Sequence, residues 1–272
     1  MVCGGVILIG KIIINDMDSL PVSWWKNVPN LKRRKKLIFK PGVNIVVGPN
    51  GTGKSTIIKL ISRSFFAEQG GISMVTQPSL SDAFGFGEKS IKWSGYEITH
   101  DGGPVGHYDP DKTYGMAYGM FDDDFFSDGV RSLQLRSVSR GQKTLANLNF
   151  IIKKVADADG IEFGLKKDSV NSLWVNRLEL IEKFLEKDKT LEPSQKTILL
   201  DEPERSLDLL NELSLVQWVQ DMGKKYQLII ATHSPFLLFV PGVNIIETHR
   251  GYTKKIKNRI ETIIKDDKGT QE

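Results

Sequence analysis

Short runs of consecutive apolar residues alternate along the chain with stretches in which apolar residues recur every three or four positions. The runs are rich in β-branched residues and nearly uninterrupted, which predicts strands that are buried on both faces of a sheet. The predicted strands are Val6–Ile14, Asn44–Val47, Thr197–Leu200, Gln227–Ala231 and Val243–Ile246.

Three stretches with helical spacing carry an apolar stripe. The stripes are Leu145, Leu148, Ile152 and Val155; Trp174, Leu178, Ile181 and Leu185; and Leu209, Leu213, Val216 and Val219. Each stripe would lie on one face of a helix and pack on a sheet. Strands that alternate with helices predict an α/β fold built in layers.

The pattern changes between residues 78 and 138, which are rich in Gly, Asp, Ser and aromatic residues and have little helical period. We expect a core formed by residues 1–77 and 139–250, with this segment inserted as a small lobe. A helical insertion is expected at about 156–195 within the core. Residues 251–272 are polar and basic and predict a frayed C-terminal tail.

Composition narrows the class of protein. The chain has 272 residues, of which 40% are hydrophobic and 26% charged, as in soluble globular proteins. The single cysteine, Cys3, excludes an internal disulfide and a cysteine-based zinc site, so the cytoplasm is the expected location. No apolar run is long enough to span a membrane. The net charge of +4 permits a nucleic-acid partner without requiring one.

The strongest motif follows the predicted strand Asn44–Val47. It reads Gly48-Pro49-Asn50-Gly51-Thr52-Gly53-Lys54-Ser55-Thr56 and matches the phosphate-binding pattern G-x-x-x-x-G-K-[ST] in full. The glycines let backbone N–H groups point at phosphate oxygens, and the N-terminus of the following helix adds a positive dipole. Lys54 is expected to bind the β- and γ-phosphates, and the Ser55 hydroxyl to bind Mg²⁺.

Two more predicted strands end in polar residues. Asp201 and Glu202 follow the run Ile198–Leu200, and His233 follows the run Ile229–Ala231. Since loops at the carboxyl ends of parallel strands line a ligand crevice, Asp201 is a candidate metal ligand and Glu202 a candidate general base. His233 could donate a hydrogen bond to a phosphate, but taken by itself an ordinary surface or capping histidine is the preferred interpretation.

A further candidate anion site begins the first amphipathic helix, in Val138-Ser139-Arg140-Gly141-Gln142. Ser139 is a favourable N-cap residue, and its hydroxyl, the neighbouring N–H groups and the helix dipole together attract anions. The alternative is an ordinary capped helix start.

Together, and in this order, the motifs resemble the ATP-binding-cassette (ABC) ATPases from about residue 5 to about residue 250. The resemblance implies a P-loop NTPase core in which a mixed sheet is flanked by helices, with a small inserted lobe. The resemblance assigns the phosphate loop to Walker A, Gln77 to the glutamine loop, Ser139–Gln142 to the signature, Leu199–Glu202 to Walker B, Ser206–Asp208 to the D-loop and His233 to the switch histidine. It implies ATP and Mg²⁺ as cofactors. Ser55, Asp201 and Gln77 would be metal ligands. Ser139, Gly141, Gln142 and Asp208 would contact nucleotide in a homodimer that encloses ATP between its subunits.

The sequence departs from the family in places. The signature reads V-S-R-G-Q where the family usually has L-S-G-G-Q, so Val138 replaces leucine and Arg140 replaces glycine. Gln77 follows Lys54 by only 23 residues, which is closer than in most transporters. Arg140 motivates one alternative function, a scaffold that binds ATP for assembly and barely hydrolyses it.

The residues around Walker B and the switch histidine indicate a branch of the family. Asp201-Glu202-Pro203-Glu204 and Thr232-His233-Ser234-Pro235 resemble soluble ATPases related to the OLD, RecF and SMC proteins. That resemblance implies an ATPase that drives a separately encoded effector, such as a nuclease or toxin, in bacterial anti-phage defence or DNA repair. The nucleotide-binding subunit of an ABC transporter is the alternative.

Other features have two interpretations each. The basic run Lys32–Lys36 could contact nucleic acid or could be a solvated turn, and Lys254, Lys255, Lys257 and Arg259 form a second such cluster. Trp24 and Trp25 could stack on adenine, but packing is the preferred interpretation. The acidic run Phe121–Phe126 predicts an exposed loop, because three adjacent aspartates cannot all bind one ion.

Overall fold

The computed structural model describes residues 9–16, 28, 31, 35–64, 67, 95–100, 105–110, 139–157, 196–205 and 207–268. Its elements, in chain order, are β1 (Ile9–Ile14), β2 (Lys36–Ile38), β3 (Val43–Val47), α1 (Lys54–Ser64), β4 (Tyr96–His100), β5 (Val105–Tyr108), α2 (Arg140–Asp157), β6 (Thr197–Asp201), α3 (Leu209–Met222), β7 (Gln227–Ala231), a 3₁₀ helix (Phe236–Phe239), β8 (Asn244–Glu247) and α4 (Tyr252–Lys268).

Five strands form a sheet in the order β5-β6-β7-β3-β8, and every neighbouring pair is parallel. All residues of β3, β6 and β7 are buried, as their continuous runs of Val, Ile and Leu predict. Because the strands are parallel, the loops that follow them emerge along one edge of the sheet.

Each face of this sheet packs on its own hydrophobic cluster, because successive side chains of a strand point to opposite faces. On one face Val46 and Leu199 join α1 and the strands β1, β2 and β4. On the other face Ile45 and Leu200 join α2, α3 and the 3₁₀ helix. The α/β fold with helices on both faces of a parallel sheet is therefore confirmed.

The mixed sheet that the resemblance implies is divided into two sheets among the described residues. β2, β1 and β4 form a separate antiparallel sheet. The buried Gln227 of β7 joins the two sheets: its side chain donates to the carbonyl oxygens of Ile9 (3.1 Å) and Lys40 (3.0 Å) and accepts from the N–H of Ile9 (3.0 Å) and the hydroxyl of Thr197 (2.8 Å).

Most predicted elements agree with the structure to within one or two residues at the ends that are described. The stripe predicted for α3 is wrong in its first turns, since Leu215 and Val219 are buried while Leu209 and Leu213 are 60% and 46% exposed. β4 and β5 lie in the range expected to form a lobe. However, β4 belongs to the antiparallel sheet and β5 to the parallel sheet. The rest of the division into core and lobe stays a prediction.

The frayed C-terminal tail is also wrong, because α4 occupies Tyr252–Lys268. Isoleucines recur in it at helical spacing, and Tyr252 and Ile256 pack against the cluster on the α2 face of the sheet. The high charge of the segment conceals that period. Within the residues described, no helix is long and apolar enough to cross a bilayer.

Several predictions concern residues outside the described ranges. They are the assignments of Cys3, Trp24, Trp25, Lys32–Arg34, Gln77, Phe121–Phe126, Val138, Ser206 and the helix at Trp174–Leu185.

Candidate functional site

The carboxyl edge of the parallel sheet gathers polar residues from all five strands. The phosphate loop follows β3, Asp201 ends β6, His233 follows β7, Asp109 follows β5 and Thr248 follows β8. The parallel topology thus brings together candidate residues that are up to about 200 positions apart in the chain.

The phosphate loop turns through two glycines with left-handed backbone, Gly51 (φ 71°) and Gly53 (φ 94°). Lys54 begins α1 and is buried, and its ammonium donates to the carbonyl oxygens of Gly48 (3.0 Å) and Pro49 (3.2 Å). Burial lowers the pKa of Lys54, and the negative charges of nearby Glu202, Asp201 and Glu204 oppose that shift. A desolvated cation held inside such a loop is suited to bind an anion.

Thr248 supports the start of the loop from the neighbouring strand. Its hydroxyl lies 2.6 Å from the hydroxyl of Thr52 and donates to the carbonyl oxygen of Val47 (3.1 Å). A Cβ at Gly48 would lie 1.9 Å from the Thr248 hydroxyl oxygen and 2.8 Å from that of Thr52. Only glycine fits at this approach.

Asp201 is buried at the end of β6, and the Ser55 hydroxyl hydrogen-bonds its carboxyl group. Burial raises the pKa of Asp201 to about 6, the bond from Ser55 opposes the rise, and the negative charges of Asp109 and Glu202 add to it. Among the described residues its Oδ1 atom has no hydrogen-bond partner. A buried carboxylate oxygen without a partner is what a cation site requires.

These residues fit Mg²⁺. The described residues contain no group of three or more His, Cys, Asp or Glu side chains that could hold a metal ion by themselves. Mg²⁺ instead takes one or two protein oxygens together with water and substrate phosphates. The Ser55 hydroxyl and the Asp201 carboxylate, beside a phosphate loop, form such a set.

Glu202 and His233 form a pair at the ends of β6 and β7. The Nε2 atom of His233 lies 3.3 Å from Oε1 of Glu202, and both side chains are about one-third exposed (37% and 30%). The Glu202 N–H donates to the carbonyl oxygen of Ala231 (2.8 Å). Glu202 has φ 45°, and among the described residues other than glycine it alone has positive φ. A strained conformation of this kind is typical of functional sites.

Glu204 joins the same two loops. Its Oε1 atom accepts from the backbone N–H of His233 (2.6 Å) and Ser234 (3.2 Å). Burial raises the pKa of Glu204, and the N–H of His233 opposes the rise.

The predicted signature residues begin α2. Ser139 is the expected N-cap: its hydroxyl accepts from the Gln142 N–H (3.3 Å), and its own N–H donates to the Gln142 side chain (3.2 Å). Gly141 is buried near Leu207, and Asn211 also contacts this position. Asn211 donates both its backbone N–H and its side-chain amide to Asp208. These bonds lower the pKa of Asp208.

The structure therefore separates the candidate residues into two groups. Walker A, Asp201, Glu202 and His233 lie along the carboxyl edge of the sheet, with the exposed Asn50 in the turn and Thr56 in the first turn of α1. The signature residues and Asp208 come together where α2 and α3 begin.

Sequence reasoning missed three residues at the first group: Thr248, Asp109 and Glu204. Thr248 and Asp109 each follow a short strand, so the same strand-end rule that selects Asp201 could have found them. Glu204 lies within the quoted motif, but its bonds to His233 and Ser234 span about 30 positions and have no local signal.

A protein-family model described as "AAA domain, putative AbiEii toxin, Type IV TA system" matches residues 124–238. The phosphate import ATP-binding protein PstB of Oceanobacillus iheyensis is 24% identical over 276 residues, covering 93% of this chain and 89% of that protein.

Two solved structures are also similar. "An inward-facing conformation of a putative metal-chelate type ABC transporter" is 16% identical and covers 79% of this chain and 73% of its own, with a TM-score of 0.37. The "dimeric structure of a post-hydrolysis state of the ATP-binding cassette MJ0796 bound to ADP and Pi" is 13% identical and covers 78% and 84%, with a TM-score of 0.35. At such low TM-scores the fold rests on the strands and helices described above.

The family model covers less than half of the chain, and PstB is a distant relative. Taken with the complete phosphate loop at the carboxyl edge of a parallel sheet, these similarities support an ABC-type P-loop nucleotide-binding protein.

Proposed function

We propose that this chain is an ABC-type ATPase that binds and hydrolyses ATP with Mg²⁺ and drives a separately encoded effector in the cytoplasm. The observation that carries the proposal is the site at the carboxyl edge of the sheet, where Lys54 lies within the phosphate loop and Asp201 lies beside Ser55. When bound, Mg²⁺ would neutralise phosphate charge, with Ser55 and Asp201 as its protein ligands. Gln77 is the third ligand that we propose.

The chain's own residues have distinct roles in this proposal. The N–H groups of Asn50–Thr56 and the Lys54 ammonium bind and orient the phosphates. Glu202 accepts a proton from the attacking water, and the adjacent His233 orients the carboxylate and donates to a phosphate oxygen. The strained backbone of Glu202 fixes where its carboxylate lies.

We further propose a homodimer that encloses ATP. The exposed Ser139, Gln142 and Asp208 form a surface at the starts of α2 and α3, with the buried Gly141 beside it. In the dimer, this surface of one subunit would complete the site of the other, as the resemblance implies.

A hydrolysis assay tests the proposed ATPase activity, and size-exclusion chromatography tests the proposed dimer, both with Mg²⁺ and ATP. Glu202→Gln should slow hydrolysis about 100-fold or more and accumulate an ATP-bound dimer. Lys54→Ala should lose nucleotide binding and stay monomeric. A Glu202→Gln protein that binds ATP and remains monomeric would exclude the ATP-enclosing dimer for the isolated chain.

The nucleotide-binding subunit of a transporter is the second candidate, and similarity to PstB along 93% of the chain favours it. Ser234-Pro235 after the switch histidine, and Glu204 two residues after Walker B, favour the effector-coupled ATPase. Affinity purification from native membranes and from native cytosol separates the two, since only the transporter subunit should co-purify with a membrane-spanning protein.

The third candidate is a scaffold that binds ATP without turnover, motivated by Arg140 in the signature. Tight ATP binding with hydrolysis at background would support it. Restoring the usual glycine by Arg140→Gly should then raise the rate.

A role in defence or DNA repair is the most specific part of the proposal. The family model's description names a toxin system, which agrees with an effector of that kind. Contact with nucleic acid is supported by a groove of about 840 Å³ that is lined by Lys36, the last residue of the first basic run, and by Lys254 and Lys257 of the second cluster. Lys254→Glu with Lys257→Glu should weaken DNA binding and its salt dependence.

A further inference from the structure

The loops after β6 and β7 are bonded to each other at three points. The Glu202 N–H donates to Ala231, the Glu202 carboxylate lies 3.3 Å from the His233 imidazole, and the Glu204 carboxylate accepts from the N–H groups of His233 and Ser234. The bond from the Glu202 N–H to Ala231 continues the pairing of β6 with β7. The two bonds to the Glu204 carboxylate hold the loop that carries His233.

The position and hydrogen bonds of Glu204 are suited to holding this loop. It is largely buried, and its Oε1 atom receives two N–H groups, the shorter bond being 2.6 Å. One oxygen that accepts two backbone N–H groups fixes the positions of both amides at once. The loop has further bonds of its own, since the Ser234 N–H donates to the Thr232 hydroxyl (2.9 Å) and the Phe236 N–H donates to the Ser234 hydroxyl (3.2 Å). A residue that anchors the His233 and Ser234 amides therefore orients the whole segment.

We infer that Glu204 is a positioning residue, which holds the loop after β7 so that the His233 imidazole lies against the Glu202 carboxylate. The inference deepens the proposed function and rests on it, because it assigns Glu204 an effect on hydrolysis through His233. Glu204 itself need not touch the nucleotide.

Three variants of the full-length chain isolate the bond. Glu204→Ala removes the acceptor, Glu204→Gln keeps an oxygen of the same reach, and Glu261→Ala removes an exposed carboxylate from α4 as a matched control. With Mg²⁺ and ATP, Glu204→Ala should lower kcat about tenfold or more and change KM by less than about threefold. Glu204→Gln should restore most of kcat, and Glu261→Ala should match the wild type.

Hydrogen exchange of the nucleotide-free protein gives a readout that is independent of activity. The amides of His233 and Ser234 should exchange about tenfold faster in Glu204→Ala, because they lose their shared acceptor. They should remain protected in Glu204→Gln. Unchanged exchange in Glu204→Ala would overturn the inference.

A double variant tests whether Glu204 acts through His233. His233→Ala should lower kcat by itself, and adding Glu204→Ala should lower it little further. A double variant whose loss is the product of the two single losses would overturn the inference. If Glu204→Ala fails to fold, Glu204→Asp replaces it, since the shorter side chain keeps the charge and moves the oxygen; full activity with unchanged exchange would then count against the inference.

The two proposals fail differently. A wild-type protein that binds no ATP, or binds it without hydrolysis, contradicts the proposed function whatever Glu204 does. Normal hydrolysis in Glu204→Ala with the loop amides still protected contradicts only the positioning role.

Discussion

Single atoms at the carboxyl edge of the sheet decide whether the phosphate loop can form. Gly48 passes so close to Thr248 that a methyl group would lie 1.9 Å from the threonine hydroxyl oxygen, far inside van der Waals contact. Asp201 lies in the same crowded edge with a carboxylate oxygen that no described residue satisfies. Both features favour ligand binding over stability, as is common at functional sites.

We expect Gly48→Ala to lose most ATP affinity, because the new methyl group must displace either the loop or Thr248. Thr248→Ala alone should weaken binding only slightly, since it removes one supporting hydroxyl. The double variant should recover part of the affinity, because the atom nearest to the new methyl group is gone. Titration with a fluorescent ATP analogue measures all three. A double variant no better than Gly48→Ala would show that the Thr248 hydroxyl is not the obstacle.

Asp201 gives a pH-dependent prediction. Its pKa is raised from 3.8 to about 6 in the folded chain, so the folded state binds more protons between these values. The free energy of unfolding therefore falls as pH rises through this window, by about 2–3 kcal/mol. With EDTA and without nucleotide, Asp201→Asn should be more stable than the wild type at pH 7 by about 2 kcal/mol, with little difference near pH 4.

Urea unfolding at the two pH values measures that difference. Asp221→Asn is the control, because Asp221 is exposed and Lys224 lowers its pKa through a side-chain hydrogen bond. The control should show no gain at pH 7. A loss of stability in Asp201→Asn at pH 7 would mean that the carboxylate is well compensated in the free protein.

At the scale of elements, the junction between the two sheets depends on one polar side chain. The side-chain oxygen of Gln227 accepts two hydrogen bonds and its side-chain nitrogen donates two. These bonds reach β1, β6 and the segment before β3. A buried amide with its partners supplied on all sides fixes the relative position of the strands, because no apolar residue could satisfy the same groups.

Gln227→Ala should lower the free energy of unfolding by about 3 kcal/mol, because it leaves the buried N–H of Ile9 and the carbonyl oxygens of Ile9 and Lys40 without this partner. Gln217→Ala, in an exposed position of α3, should change it by less than about 0.5 kcal/mol. Chemical unfolding followed by circular dichroism measures both. Equal, small effects would show that water replaces the lost contacts.

For the molecule as a whole, α4 is part of the packed structure and not an appendage. Tyr252 and Ile256 pack against the cluster on the α2 face, and Glu247 accepts from the N–H groups of Gly251 (2.7 Å) and Thr253 (2.8 Å) where the helix begins. Farther along, Ile263 and Ile264 are 59% and 54% exposed. The helix is thus anchored at its start and open to solvent beyond.

Two matched substitutions test this arrangement. Ile256→Ala should lower the melting temperature by several degrees, as expected for loss of about 1–2 kcal/mol of packing. Ile264→Ala should leave it nearly unchanged. If both variants melted like the wild type, the helix would not be docked in solution.

The local parts of this molecule could be predicted from sequence, and the distant contacts could not. The phosphate loop is a contiguous motif, and β6 and β7 are continuous apolar runs, so each carries its own signal. The Thr52–Thr248 contact joins residues 196 positions apart, and the sequence near either residue carries no signal that predicts it. The sequence does not predict α4, because its many charged residues hide the helical spacing of its isoleucines. It does not predict the exposed start of α3 either, because periodicity does not indicate how much of an apolar stripe other elements cover.

The contact between Thr52 and Thr248 also bears on when this protein becomes competent during its synthesis. The loop leaves the ribosome first, and the threonine that supports it is translated 196 positions later. Since pairing between such remote segments closes late, we expect the nascent chain to reach its full affinity for nucleotide only after the strand before Thr248 has emerged and paired.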